Sequence, residues 1–386
     1  MNKFRNIAHN IRYFSRENKI KVEFKNYISD KQYFKYDKES VIKYLKSQKI
    51  CENEFAFSKS EYCNSLYAST YGCLLESLYK DISTNEKRRW KEYFDNHQRD
   101  DGVFYDEIYD MNDFLYGTEG WGATHLVPHI IIAYNKIGYK PKYEFRYLEK
   151  YKNPDEVIKW LDSLNFCNIW ASSNAIMNYG VAMQYSRDEM NGQYSLAIEA
   201  MQDYLLNKVN EYGMWFEGSI TSQLELNEMI RGAYHILPIM YYDSIEIPYA
   251  SNAVDKILKS QNKWGGFDTY IASSACEDID GLDPLIRYSI MAKREKEDIV
   301  KKAIDKARKW ILFNQNDDGG FVFEKDTPFC YGGQKVLSSL AGESNMFATW
   351  FRCVSLELIN DFECGKNKKM GNIPGYELEL WKRENR

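Results

Sequence analysis

Between Glu277 and Asp283 the chain carries four carboxylates, Glu277, Asp278, Asp280 and Asp283, in seven residues, with apolar Ile279 and Leu282 among them. Such a run is either a solvated acidic loop or a place where burial and mutual repulsion keep a proton on one acid near neutral pH. A carboxyl held that way can serve as a general acid. Asp278 and Asp280 are expected to share one loop and one proton. Asp283, just ahead of Pro284, is expected to cap the helix that follows.

Other polar residues stand where apolar helices begin and would face the same space. They are Glu119 and Trp121 ahead of His125, then Asn174 and Asn178, then Glu228 and Arg231 ahead of His235. Arg287, Glu343, Asn345 and Arg352 complete the set, and Trp121, His125, Asn174, His235, Asp283, Arg287 and Asn345 are the expected substrate-binding residues. His125 and His235 read as a base, a ligand pair or satisfied core histidines. His125 and His129 have helical i,i+4 spacing, but no HExxH glutamate lies between them, so a metal site is not expected. There is no phosphate-cradling glycine loop and no serine or cysteine nucleophile motif, and nothing calls for a cofactor.

These groups need elements to position them, and a repeat supplies those. Gln48, Gln98, Asn165, Asn210, Gln261 and Gln315 end amphipathic segments and stand 50, 67, 45, 51 and 54 residues apart. A turn follows each, glycine-containing in most (RDDGVF, EYGMWF, NKWGGF, NDDGGF), then a second segment that is apolar nearly all round. Two of these also match internally: Gly122-Ala123-Thr124-His125 with Pro128, and Gly232-Ala233-Tyr234-His235 with Pro238. A segment charged on one face belongs outside and an all-round apolar one inside. One such hairpin cannot bury its own apolar face, so the repeats must close or be capped. The expectation is an all-α fold, an α/α toroid of about six outer–inner helix hairpins over residues 40–361. Residues 1–39 would form an N-terminal extension and 362–386 a C-terminal tail. Phe104, Trp215, Phe267 and Phe321, which follow the turns, are expected to plug the seams between hairpins.

Gln-x-x-x-Gly-aromatic turns on this repeat resemble those of the squalene–hopene cyclase, class II terpene cyclase and protein prenyltransferase β-subunit superfamily. The similarity covers roughly residues 40–360. Gly265-Gly266-Phe267 followed ten residues later by Asp278-Ile279-Asp280-Gly281 is similar in spacing to the glycine-rich segment and acidic DxDD motif of squalene–hopene cyclases. The resemblance implies Asp280 as the donor that protonates an alkene or epoxide, with Asp278 and Glu277 tuning it. Gly281 stands where that family has its third Asp. A zinc prenyltransferase is not expected, because Asp280 occupies the cysteine position and Asn345-Met346-Phe347-Ala348-Thr349 contains no histidine.

Composition narrows the field further. Net charge is −5 with no basic cluster, which excludes a nucleic-acid footprint. The eight cysteines form no CxxC pair, and no secretion signal or membrane-spanning run is present, so a cytoplasmic protein is expected, with membrane-surface attachment not indicated. Aromatic content is 16%, with 31 Tyr, 20 Phe and 9 Trp, enough to line a cavity that stabilises a cation or a sugar face. The leading expectation is an enzyme that starts cyclisation or isomerisation of an isoprenoid by protonation. The alternatives are a carbohydrate-active toroid (lyase, hydrolase or epimerase) acting on a glycan, and a non-catalytic repeat scaffold.

Overall fold

The computed structural model describes residues 2–29, 36–108 and 123–364. A long helix α1 (Asn2–Ser29) precedes an alternation of outer and inner helices. The outer helices are α2 (Lys38–Gln48), α4 (Thr84–Asn96), α6 (Pro154–Asp162), α8 (Ser195–Asn207), α10 (Ala250–Ser260) and α12 (Glu297–Phe313). The inner ones are α3 (Leu66–Tyr79), α5 (Ala123–Ile137), α7 (Ile169–Glu189), α9 (Gln223–Tyr242), α11 (Ala275–Met291) and α13 (Met346–Cys364). Two short hairpins, β1 (Lys49–Cys51) with β2 (Glu54–Phe55) and β3 (Phe329–Cys330) with β4 (Ser338–Ser339), sit in connections.

The burial pattern follows the sequence period. α12 buries Val300, Ala303, Ile304, Ala307 and Ile311, one stripe at three- and four-residue spacing, and leaves its charged face outside. By contrast, α9 is buried from Met229 almost continuously to Tyr242 and α7 from Ser172 almost continuously to Ser186. Each inner helix packs on the next, α3 on α5, then α7, α9, α11 and α13, and α13 returns to α3. The ring is closed, and the expected all-α toroid is the observed fold.

The turns hold neighbouring hairpins together. Gln98 Nε2 donates to the Gly102 carbonyl (3.2 Å) and to the Tyr143 carbonyl (3.0 Å), while its Oε1 accepts the Tyr143 N–H (2.8 Å). Gln261 Nε2 donates in the same way to Gly265 (2.9 Å) and to Ala303 of the next outer helix (2.8 Å). The shorter Asn165 and Asn210 instead accept N–H groups of their own turns. Gly265 (φ 111°) and Gly319 (φ 90°) have positive φ, and a Cβ there would lie 2.2 Å from the Lys306 carbonyl and 2.0 Å from the Ser40 carbonyl. Only glycine satisfies both demands. The Gly319–Ser40 approach joins the last hairpin to the first. Phe104, Trp215, Phe267 and Phe321 are all buried behind these turns.

Helix α1 lies outside the ring against α12. Its Ile20 and Phe24 pack with Trp264, Trp310 and Phe313, and Arg16 pairs with Glu324. Residues 365–386, most of the expected tail, lie outside the described residues.

Candidate active site

Five of the inner helices line a small central cavity of about 30 Å³. Residues four apart lie one above the other on a helix face. Four inner helices each present such a pair to the cavity: His125 and His129, Trp170 and Asn174, Cys276 and Asp280, Phe347 and Phe351. Met177, Tyr234 and His235 complete the helical wall, and Tyr331 enters from the loop beyond β3.

The acidic run is not a loop. Ser274 and Glu277 form a capping box, with Ser274 Oγ accepting the Glu277 N–H (3.3 Å) and Glu277 Oε2 accepting the Ser274 N–H (2.7 Å). Helix α11 therefore begins at Ala275, and all four acids lie inside it with Pro284. Asp283 is a mid-helix residue, not an N-cap. Asp278 and Asp280, two positions apart on a helix, point in different directions and do not form the expected proton-sharing pair.

Three of the four acids have an arginine. Asp278 Oδ2 lies 2.6 Å from Arg352 Nη1, and its Oδ1 accepts from Ser273 Oγ (2.5 Å) and the Phe267 N–H (3.4 Å). Glu277 Oε1 accepts from Arg231 Nη2 (2.7 Å), whose guanidinium lies 4.9 Å from the Trp170 ring. Asp283 Oδ2 accepts from Arg287 Nε (2.6 Å), and Arg287 lies 4.8 Å from the Tyr241 ring. Asp280 has no such partner. It is 2% exposed, its Oδ2 accepts no hydrogen bond from the described residues, and it lines the cavity.

That difference sets the protonation states. Burial pushes the Asp280 carboxyl well above the usual carboxylate range; Arg231 opposes this, while Glu277, Asp283 and Asp278 reinforce it. Burial raises Glu277 to about 7 against the pull of Arg231. Burial also outweighs Arg352 at Asp278 and Arg287 at Asp283, leaving both above their ordinary value.

Burial favours the neutral form of the three cavity histidines. Burial lowers His125 to about 4 and His235 to about 3, and takes His129 well below the ordinary imidazole value, with His125 adding to the effect. His125 Nδ1 meets Tyr331 Oη (2.7 Å) and Tyr67 Oη (3.1 Å), and His235 Nδ1 meets Ser173 Oγ (3.1 Å). His129 has both ring nitrogens buried without a hydrogen-bond partner among the described residues.

Of the residues expected from sequence, Asp280, His125, Asn174 and His235 share the cavity. Glu277, Asp278, Asp283 and Arg287 lie behind its wall in ion pairs. Asn345 is structural: its Oδ1 accepts the Ala348 N–H (2.8 Å) and its Nδ2 donates to Ser339 Oγ (3.0 Å), fixing the start of α13 on β4. Trp121 and Glu119 lie outside the described residues. Sequence reasoning missed Trp170, Met177, Tyr234, Cys276, Tyr331, Phe347 and Phe351. The i,i+4 rule applied from Asp280 and Asn174 would have found Cys276 and Trp170, whereas Tyr331 comes from a loop with no period.

No family model and no curated protein matches the chain. Among solved structures, it is similar in fold to a type II terpene cyclase from Scytonema, determined with its substrate geranylgeranyl dihydroxybenzoate. The identity is 14% and the TM-score 0.49, over 91% of this chain and 99% of that one. Among the described residues, no helix is long and apolar enough to cross a membrane.

Proposed function

We propose that the protein is a terpene cyclase-like enzyme that protonates an isoprenoid in the central cavity, with Asp280 as the acid. The carrying observation is that Asp280, alone among the four clustered acids, has no arginine and faces the cavity. An acid kept protonated there can give its hydrogen to an alkene carbon. The π pair forms the new C–H bond, the neighbouring carbon becomes a cation, and Asp280 is left as carboxylate.

The wall suits that charge. Trp170, Tyr234, Tyr331, Phe347 and Phe351 supply aromatic faces that attract cations. Uncharged imidazoles add no opposing positive charge, and the nearby guanidinium groups are paired outside the cavity. A second double bond of the same chain, folded against the cation, would then close a ring.

Of the polar residues that would suit a glycan site, Asn174, Asn178, Arg287, Asn345 and Arg352, only Asn174 lines the cavity. Arg287, Arg352 and Asn345 are committed to Asp283, Asp278 and the start of α13, which favours the isoprenoid reading. A bare scaffold would gain nothing from an unpartnered buried acid, which lowers stability.

The test is incubation with prenyl substrates of graded length in D₂O, for the wild type and Asp280→Asn. The wild type should give a cyclised or isomerised product carrying deuterium at the protonated carbon, and the variant none. Undiminished product from the Asn variant would remove Asp280 from the role.

A further inference from the structure

A cation made at Asp280 must lose a proton elsewhere if the product is to be an alkene. We infer that His129 is the base that takes this proton; the inference rests on the acid-initiated reaction proposed above. Around the closed ring the inner helices run α3, α5, α7, α9, α11, α13. Helix α5, which carries His129, is therefore three places from α11, which carries Asp280. The two residues line one cavity from opposite walls of the ring.

The other cavity histidines are engaged, His125 with Tyr331 and Tyr67 and His235 with Ser173. His129 keeps two buried nitrogens without a partner, an arrangement that costs stability and serves no visible structural end. Aromatic edges hold its ring in place, with Tyr71 at 5.4 Å and Phe351 at 5.9 Å between ring centroids. Its basicity is low, but the hydrogens on carbon next to a carbocation are acidic enough for a neutral imidazole to accept one.

The step balances. The C–H pair beside the cation becomes the new double bond, and the proton goes to a neutral nitrogen of His129. The site then holds Asp280 carboxylate and His129 imidazolium, with no net charge gained. Water entering as product leaves returns the proton to Asp280.

The test uses the full chain in D₂O with the prenyl substrate that the wild type converts. His129→Gln and the volume-filling His129→Phe are compared after thermal unfolding has shown which of them is folded. The expected result is a fall of more than about tenfold in the wild-type alkene's share of product. In its place should appear a water-quenched alcohol, a different alkene, or deuterium washed into recovered substrate as the cation returns its proton to Asp280. An unchanged product ratio in a folded variant overturns the role of His129 and leaves that of Asp280 standing. So does a folded variant giving neither product nor labelled substrate, because His129 would then act before protonation. A wild type that labels no prenyl substrate removes the acid-initiated reaction, and this role with it.

Discussion

Arg352 on α13 places Nη1 2.6 Å from Asp278 Oδ2 on α11, and both side chains are buried. The guanidinium also donates to the Val322 (3.1 Å) and Phe323 (3.1 Å) carbonyls, so a single arginine ties two inner helices and the turn between them. In the sequence reading Asp278 was a partner in chemistry. In the structure its oxygens are occupied by Arg352, Ser273 and the Phe267 N–H, which fixes α11, and it acts on Asp280 only through its charge.

Arg352→Met should therefore strand a buried carboxylate and cost about 3–5 kcal/mol. The double variant Asp278→Asn/Arg352→Met should recover much of that loss, since no unpaired charge remains. Urea unfolding of both single variants and the double variant checks this, and a double variant no better than Arg352→Met alone would contradict it.

Asp280 should leave a signature in the pH dependence of stability. Its folded-state value is raised, so above about pH 4 the unfolded chain loses this proton while the folded protein keeps it. Its contribution to stability then falls as pH rises toward the folded value. Glu277, Asp278 and Asp283 are raised too, with Arg231, Arg287 and Arg352 opposing, so the wild-type slope is shared. The difference between wild type and Asp280→Asn isolates one group. The variant should gain on the wild type between pH 5 and 8 in urea midpoints, while turnover by the wild type falls as pH passes the raised value.

Gly281 stands where the resembling family has an acid, and packing explains the glycine. A Cβ at this position would lie 2.2 Å from the Phe267 ring and 2.6 Å from its Cβ. Gly281→Ala should cost about 1–3 kcal/mol through overpacking. Gly281→Asp, which would complete the family motif, should be worse still and should not raise activity. Thermal melts of the two variants, with turnover measured alongside, decide the point.

The turn glutamines should matter without touching the cavity. Gln261→Ala removes two hydrogen bonds to buried or partly buried carbonyls, those of Gly265 and Ala303. A loss of about 1–3 kcal/mol is expected, with product composition unchanged. A changed product spectrum would show that the turn reaches the chemistry.

The ring was legible because its signals are periodic: an amphipathic stripe, a Gln or Asn, a turn and an apolar run recur down the chain. Site detail was less so. Pro284 suggested a helix start, yet Ser274-Ala275-Cys276-Glu277 already carried the capping-box pattern that sets the true start nine residues earlier. With that boundary, i,i+4 spacing places Asp280 on the cavity face with Cys276 and turns Asp278 away from the cavity toward Arg352. What sequence could not show was which acid each arginine takes, because Arg231 and Arg352 arrive from neighbouring hairpins. Tyr331 was invisible for the same reason, since its loop reaches His125 only once the ring has closed.

The approach of Gly319 to the Ser40 carbonyl has a further consequence. A linear array can gain or lose a unit at either end, but this wall has no end at which to do so. Adding or deleting a hairpin would breach the enclosure, so its girth is a fixed quantity. Any relative of this protein that accepts a longer or bulkier chain must make space by exchanging the inward-facing side chains, not by enlarging the circle.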